Sequence, residues 1–313
     1  MPLNSTTKPA CTIGVDIGGT KIAAGLVTFP DGQVRVRKII PTLPKRGGEA
    51  VLTDIEKLAR DLMGEASLMN LEAKGIGVGV CEIVDLSGQV ASANCITFQG
   101  LPVRERLSRI APTILEADVR AAARAEAMFG AGRGARVFLY VTIGTGIASC
   151  LVMDGHPFTG AHGATGTMAS GPLPHLGVMR DDPPPASLEA FAAGPALVRR
   201  FNAIRGNAQS GQDVLAAASE GNVRAIEVVR TSGEALGASI GALINVLDPE
   251  LVVLGGGLGM SEGLYRDTLI NSARRHIWWE GHRNVPIVPA ATGTDAGIIG
   301  AAATVWNGNV VNR

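Results

Sequence analysis

Apolar positions along this chain keep two rhythms. In residues 11–39, short runs of β-branched and small residues are broken by Gly. CTIGVDIG (11–18), KIAAGLVTF (21–29) and QVRVRKI (33–39) read as three consecutive strands, with Pro30-Asp31-Gly32 as a hairpin turn. Residues 48–69 shift to helical spacing through Val51, Ile55, Leu58 and Leu62, and GIGVGV (75–80) is again a short buried strand. The strand-rich pattern restarts near Arg136 with VFLYVTIGTG, IASCLVMDG and HPFTGA. Helical periodicity then marks 118–128, 195–204 and 223–246, the last ending at Asp248-Pro249, where Pro stops a helix. LVVLGGG (251–257) gives one more strand, and DAGIIGAAATVW (295–306) a closing small-residue helix.

The two strand-rich openings match each other. VDIGGTKIAAGLV (15–27) and VTIGTGIASCLVM (141–153) share a strand, an Ile-Gly turn and a small-residue strand, and each half reaches a later apolar strand. Alternating strands and helices argue an α/β fold, and the repetition argues two similar lobes with a cleft between them. The expected division is residues 1–118 plus 295–313 for a smaller lobe and 119–294 for a larger one.

Composition narrows the function. The chain has 313 residues, 46% hydrophobic and 18% charged, enough for a sizeable core. Its 41 Gly are about twice the usual share without a matching excess of Pro, which points to tight turns where backbone approaches a ligand. The formal net charge is +0, with no basic run to attract nucleic acid or an anionic membrane. No uninterrupted apolar stretch approaches the ~18 residues of a membrane span. The opening MPLNSTTKPA lacks a signal region and reads as a frayed end. Cys11, Cys81, Cys95 and Cys150 lie in apparent strands or strand ends and read as buried, reduced thiols.

The chemistry-bearing positions sit at the glycine turns. Gly18-Gly19-Thr20, with Lys21 beside it, follows the first strand. A Gly-Gly turn exposes backbone N–H groups in a concavity suited to phosphate, Thr20 adds a hydroxyl, and Asp16 could hold Mg²⁺ directly or through water. Taken alone, such a turn is equally a simple hairpin. Gly144-Thr145-Gly146 occupies the matching place in the second half, and the pair is more specific than either turn. Gly255-Gly256-Gly257 ends a strand and would let a flat ring lie against backbone. Neither GxxxxGK[ST] nor GxGxxG follows the first strand. Asp118 opens a helix, where it is either a cap or a general base for a hydroxyl attacking a γ-phosphate, an effect worth roughly 10²–10⁴-fold.

Together these segments resemble the ROK family of sugar kinases and related repressors, within the actin-like ATPase superfamily. The resemblance runs through GVDIGGTKIAAGLV (14–27), GVGVCEIVDLSGQV (77–90), ADVRAAARAEAMFGAG (117–132), VTIGTGIASCLVMDG (141–155), LEAFAAGPAL (188–197), ASIGALINVLDPELVVLGGG (238–257) and DAGIIGAAA (295–303). It implies a two-lobed, ribonuclease-H-like fold, ATP and Mg²⁺ as cofactors, Asp118 as catalytic base, a cytoplasmic setting and a homodimer. The nucleotide would fall to Asp16, Gly18, Gly19, Thr20, Lys21, Gly144, Thr145, Gly146, Gly255, Gly256 and Gly257.

The departures from the family gather at the substrate. The family's Asn-Asp is Ala117-Asp118, and its Gly-Glu-x-Gly-His is Gly166-Thr167-Met168-Ala169-Ser170. Ala117, Thr167 and Ser170 therefore offer fewer or shorter hydrogen bonds to sugar hydroxyls, while Glu189 keeps a family sugar contact. Cys81-Glu82 replaces Pro-Gly, and Arg120 replaces a second Asn. Glu82 and Arg120 are expected to pair with each other or, alternatively, to recognise a charged or differently hydroxylated substrate. The family's zinc site, a His with three clustered Cys, has no counterpart. His175 stands alone after Cys150, and the Pro-rich loop around it reads as a rigid replacement. His162 is given no catalytic role. Only about ten residues precede the first strand and they are not helical in pattern, so a DNA-binding repressor is not expected. A non-catalytic sugar sensor of the same fold remains the alternative to a sugar, polyol or amino-sugar kinase.

Overall fold

A computed structural model describes residues 8–171 and 187–311 of the chain. The segment holding His175 and the Pro-rich loop, and the first seven residues, lie outside them. In chain order the elements are β1 (Ala10–Ile17), β2 (Lys21–Thr28), β3 (Gln33–Pro41), α1 (Gly48–Leu68), β4 (Glu72–Val80), α2 (Val103–Ser108), β5 (Thr113–Ala117), α3 (Asp118–Phe129), β6 (Val137–Ile143), β7 (Ile147–Met153) and β8 (His156–Pro157). There follow α4 (Glu189–Ala192), α5 (Gly194–Ala203), α6 (Gly211–Ser219), α7 (Val223–Leu247), β9 (Leu251–Gly255), α8 (Gly256–Gly259), α9 (Leu264–His276), β10 (Ile287–Pro289) and α10 (Ala296–Val311).

The chain divides into two compact units. One comprises residues 1–133, 156–165 and 292–313, the other 134–155 and 166–291. Helix α3, placed beyond the boundary by the sequence-based division, groups with the first unit because it packs on α10 and β4.

In the first unit the sheet order is β3-β2-β1-β4-β5. β1 runs antiparallel to β2 and parallel to β4, and β4 runs parallel to β5. Strand β1 is buried on both faces, as expected of an interior strand with helices above and below. Helix α1 turns Val51, Leu52, Ile55, Leu58, Ala59 and Leu62 into one core. On the other face the small residues of α10 come so close that a Cβ at Gly14 or Gly77 would collide with the carbonyl of Ile298 or Ala301. In the second unit β10, β9, β6 and β7 adjoin in that order, with β6 antiparallel to β7 and parallel to β9. Helices α5, α7 and α9 supply its core through Leu197, Phe201, Leu236, Ile240 and Leu269. The strand order of one unit therefore repeats in the other, and the fold is the expected α/β duplication.

Several expectations need correction. HPFTGA forms only the two-residue β8. The strand read over 251–257 stops at Gly255, and Gly256 and Gly257 begin a helical turn. Of the four cysteines, all free, Cys11 and Cys150 are buried, Cys81 is half-buried and Cys95 is exposed, in a loop rather than a strand. Strand β5, which pairs with β4, had no distinct apolar pattern, since Leu115 and Ala117 alone of its five residues are buried. No helix among the described residues is long and apolar enough to cross a membrane.

Candidate active site

In the first unit three parallel strands bring the chemistry to one edge. Asp16 of β1 stands opposite Gly79 of β4, and Gly79 stands opposite Glu116 of β5. Two residues beyond Glu116 the chain enters α3 at Asp118. A Cβ at Gly79 would lie 3.4 Å from the α-carbon of Asp118, in van der Waals contact with the start of the helix. Asp118 occupies the first helical position, with the extended Ala117 as N-cap. Its Oδ1 accepts the Val119 N–H at 2.6 Å, which fixes the carboxylate's direction.

Burial pushes both carboxylic acids up. Asp118 rises from 3.8 to about 7, mainly by desolvation and then by the nearby charge of Asp16, against the lowering hydrogen bond from Val119. Asp16 rises from 3.8 to about 6 by desolvation, partly offset by Lys21. Helix α10 crowds Asp16 closely, because a Cβ at Gly297 would overlap its carboxylate. A pair of desolvated carboxylates with one nearby lysine favours a cation, and Asp16 makes no hydrogen bond to another described residue that would compete with a hydrated Mg²⁺.

The first glycine turn is held from two sides. Gly18 N–H donates to Lys21 O at 3.0 Å, closing the loop around Gly19 and Thr20. Thr42, a residue that the sequence did not single out, donates its hydroxyl to Gly18 O (2.6 Å) and its N–H to Thr20 O (3.1 Å). Only its position after β3 gives it this task, and no motif signals it.

Glu82 and Arg120 do not pair. The Glu82 carboxylate accepts from Asn94 N (2.9 Å), Cys95 N (2.6 Å), Ile96 N (2.8 Å) and the Ser92 hydroxyl. Arg120 donates to Glu116, Gly163 O (2.6 Å) and Val84 O (2.8 Å). Each is almost wholly buried, at 5% and 2% exposure, and satisfied by its own loop partners, so each acts as a brace. Arg120 ties the loop that carries exposed His162 to the helix that starts at Asp118.

In the second unit Thr142 takes the register place of Asp16, opposite Gly255 of β9. Gly144 N–H closes its turn onto Gly146 O at 2.9 Å, and Gly144 O accepts from Gly194 N–H at 2.9 Å. Glu189 Oε2 accepts Ile147 N–H at 2.8 Å and lies 2.8 Å from where a Gly146 Cβ would be. Its carboxylate is thus tied to the second turn. The turn 166–170 hangs on β7 through Ser149 N–H to Gly166 O (2.9 Å) and closes by Ser170 N–H to Thr167 O (3.0 Å). Glu189 N–H donates to Ala169 O (3.0 Å), so Thr167, Ser170 and Glu189 form one neighbourhood, with Thr167 and Ser170 exposed. Gly257 O accepts from Gln212 Nε2 (2.9 Å) and Ser261 Oγ (2.6 Å), two polar side chains that no sequence motif pointed to.

Two units of the same strand order, each bearing a glycine turn after its first strand, define an actin-like ATPase fold. The chain belongs to the ROK family, whose model matches residues 12–307. Among curated relatives, the glucokinase of Streptomyces coelicolor is 28% identical, over 93% of this chain and 96% of that protein. The N-acetylmannosamine kinase of Escherichia coli is 28% identical, over 93% and 97%. Among solved structures, the ROK hexokinase of Thermus thermophilus is 31% identical with a TM-score of 0.78, covering 97% of this chain and 100% of that one. The ROK glucokinase of Streptomyces griseus, solved with glucose and AMPPNP, is 27% identical with a TM-score of 0.79, covering 95% and 99%.

Proposed function

We propose that this chain moves the γ-phosphate of ATP to a hydroxyl of a sugar or sugar-like molecule, with Asp118 as general base. The enzyme is a sugar kinase. Membership of the ROK family, beside glucokinases and an N-acetylmannosamine kinase, supports that class. The AMPPNP-bound relative supports ATP as donor. The observation that carries the base is the position of Asp118: a helix-start carboxylate fixed by Val119 N–H, with a pKa near 7. At neutral pH such a group is partly ionised and basic enough to take a proton from an attacking hydroxyl.

The remaining residues bind and orient. Gly18, Gly19, Thr20 and Lys21, with Gly144, Thr145 and Gly146, would receive phosphate oxygens through backbone N–H groups, the Thr hydroxyls and the ammonium. Gly255, Gly256 and Gly257, with Gln212 beside them, would take the nucleoside. Asp16 would hold Mg²⁺, which when bound neutralises phosphate charge. Glu189, Thr167, Ser170 and Ala117 would face the substrate, and Glu82 and Arg120 would keep their loops in place. We read the enzyme as a cytoplasmic homodimer, to be checked by sedimentation.

Replacing the family's Asn, Glu and His by Ala117, Thr167 and Ser170 removes hydrogen-bond partners for a hexose. A sugar hydroxyl left unpaired in a closed site costs about 1–3 kcal/mol. The expected substrate is therefore a sugar derivative with fewer hydroxyls to satisfy, or a polyol. A screen of hexoses, amino sugars, deoxy sugars and polyols for ADP release with ATP and Mg²⁺ tests this, with Asp118→Asn as control. ADP release that persists undiminished in the control would remove Asp118 from the mechanism. Silence across the screen would favour a sugar sensor.

A further inference from the structure

Two of the four cysteines meet at the first glycine turn. Cys81 directly follows β4, and its N–H donates to Ile17 O at 3.0 Å, at the root of the turn. The Sγ of Cys95 lies over the same turn, where a Cβ added to Gly19 would collide with it. Glu82 draws the two together. It is the peptide neighbour of Cys81, and its carboxylate grips the backbone N–H of Asn94, Cys95 and Ile96 and the Ser92 hydroxyl. This clamp pins loop 92–96 to the end of β4, so that Cys81 at the root of the turn and Cys95 over Gly19 flank the same turn. Cys95 is exposed and Cys81 half-buried, whereas Cys11 and Cys150 are buried.

We propose that Cys81 and Cys95 are a redox modification site, in which hydrogen peroxide converts the thiol pair to an intramolecular disulfide that disables the Gly18-Gly19-Thr20 turn. The exposed Cys95 sulfur attacks the peroxide. An S–O bond forms, the O–O bond breaks, and one water leaves, giving Cys95 sulfenic acid. The Cys81 sulfur then attacks the sulfenic sulfur. An S–S bond forms, the S–O bond breaks, and the departing hydroxide takes the thiol proton as a second water. The two sulfurs are oxidised by two electrons in all and the peroxide is reduced by two. Closing the bond moves Cys95 from its place against Gly19, so the turn loses a wall. The effect on the turn rests on the kinase reading above, and the disulfide does not.

The test treats the full chain with hydrogen peroxide and alkylates the remaining thiols. Both cysteines fall in one tryptic peptide, residues 75–104, with Glu82 and Asp85 between them. The expected result is a peptide lighter by two hydrogens, whose halves stay joined after cutting at Glu82 or Asp85 until dithiothreitol is added. The KM for ATP should rise at least tenfold in parallel and recover on reduction. Cys95→Ser and Cys81→Ser should each keep their own untreated KM under the same peroxide dose. Cys95 ending as a sulfinic acid, or in a disulfide between two molecules with Cys81 free, overturns the site. A Cys81–Cys95 disulfide that leaves the KM for ATP unchanged overturns the control of the turn. Failure of the kinase reading would show separately, as no turnover in the reduced protein before any peroxide.

Discussion

Asp16 and Asp118 lie on either side of β4, and the charge of Asp16 raises the proton affinity of Asp118. The strand register sets this arrangement, since Asp16, Gly79 and Glu116 form one row and Asp118 follows two residues later. Removing the proton acceptor while keeping the shape isolates its role. Asp118→Asn should lower kcat by about 10²–10⁴-fold while the KM for ATP changes little. Steady-state kinetics with ATP and the best screened sugar measures both. A loss confined to KM would make Asp118 a binding group.

Protonation of the same pair predicts two opposite pH trends. The base must be ionised to act, so kcat/KM should rise with pH to a plateau, with an apparent pKa near 7. Stability runs the other way. Both folded-state values, about 6 and about 7, lie above the ordinary 3.8. The folded protein therefore holds more protons than the unfolded chain between roughly pH 4 and pH 7. That contribution to stability is complete below 3.8 and is lost as pH rises through 6 and 7. The Tm of the metal-free protein should fall from pH 5 to pH 8, and Asp118→Asn should flatten that fall. A variant with the same slope as the wild type would show that Asp118 does not titrate in this window.

Gly297 offers a test of how tightly Asp16 is held. In most helix interiors Gly→Ala stabilises by up to about 1 kcal/mol. Here an added methyl would overlap the Asp16 carboxylate, which must then shift from its place at the end of β1. Gly297→Ala should leave the fold intact by circular dichroism but lower kcat at least tenfold and raise the Mg²⁺ concentration needed for half-maximal rate. Wild-type Mg²⁺ dependence would mean that Asp16 has room to spare.

Glu82→Gln tests the brace at the end of β4. An amide can still accept through one oxygen, which serves either Cys95 and Ile96 or Asn94 and Ser92, but the remaining donors would face its NH₂ group in a nearly dry site. Each buried donor left without an acceptor costs about 1–3 kcal/mol. The variant should lose on the order of 2–4 kcal/mol of stability in urea titration, and exchange of the Asn94, Cys95 and Ile96 amide protons should accelerate. A near-neutral change would place these donors elsewhere.

Much of the first unit was legible in the sequence because its signals are local. The hairpin of β1 and β2, helix α1, Asp118 at a helix start and the first glycine turn each follow from a few consecutive residues, as does the matching turn of the second unit. What was missed depends on neighbours far along the chain. β5 is recognisable only through its pairing with β4, and Thr42 only through the turn that it closes. Glu82 and Arg120 were seen as charges near a site, and opposite charges suggest a pair. The backbone donors of 94–96 and the carbonyls of Val84 and Gly163 satisfied them first, and no residue-type pattern encodes where a backbone group points. Cys95 looked like another buried thiol for the same reason, because its exposure follows from the loop that Glu82 pins.

Ala117 is where sequence and site disagree most sharply with the family, and it can be tested by restoration. Ala117 is the N-cap of α3, extended and 8% exposed, with no side-chain cap for the helix. Asn is a favoured N-cap and should add about 1 kcal/mol of stability over Ala. The same side chain, if it points to the substrate, supplies a sugar hydroxyl with a partner worth about 1–2 kcal/mol, or roughly a tenfold gain in kcat/KM. One amide cannot do both fully. Ala117→Asn should therefore raise either Tm or hexose kcat/KM strongly, and the other weakly. Adding Ser170→His should raise glucose kcat/KM further while leaving the Ala117→Asn gain in Tm unchanged, since Ser170 lies outside that helix start. A double variant no better on glucose than the wild type would mean that the lost hydrogen bonds do not set the substrate, and that the specificity lies in the shape held by Arg120 and Glu189.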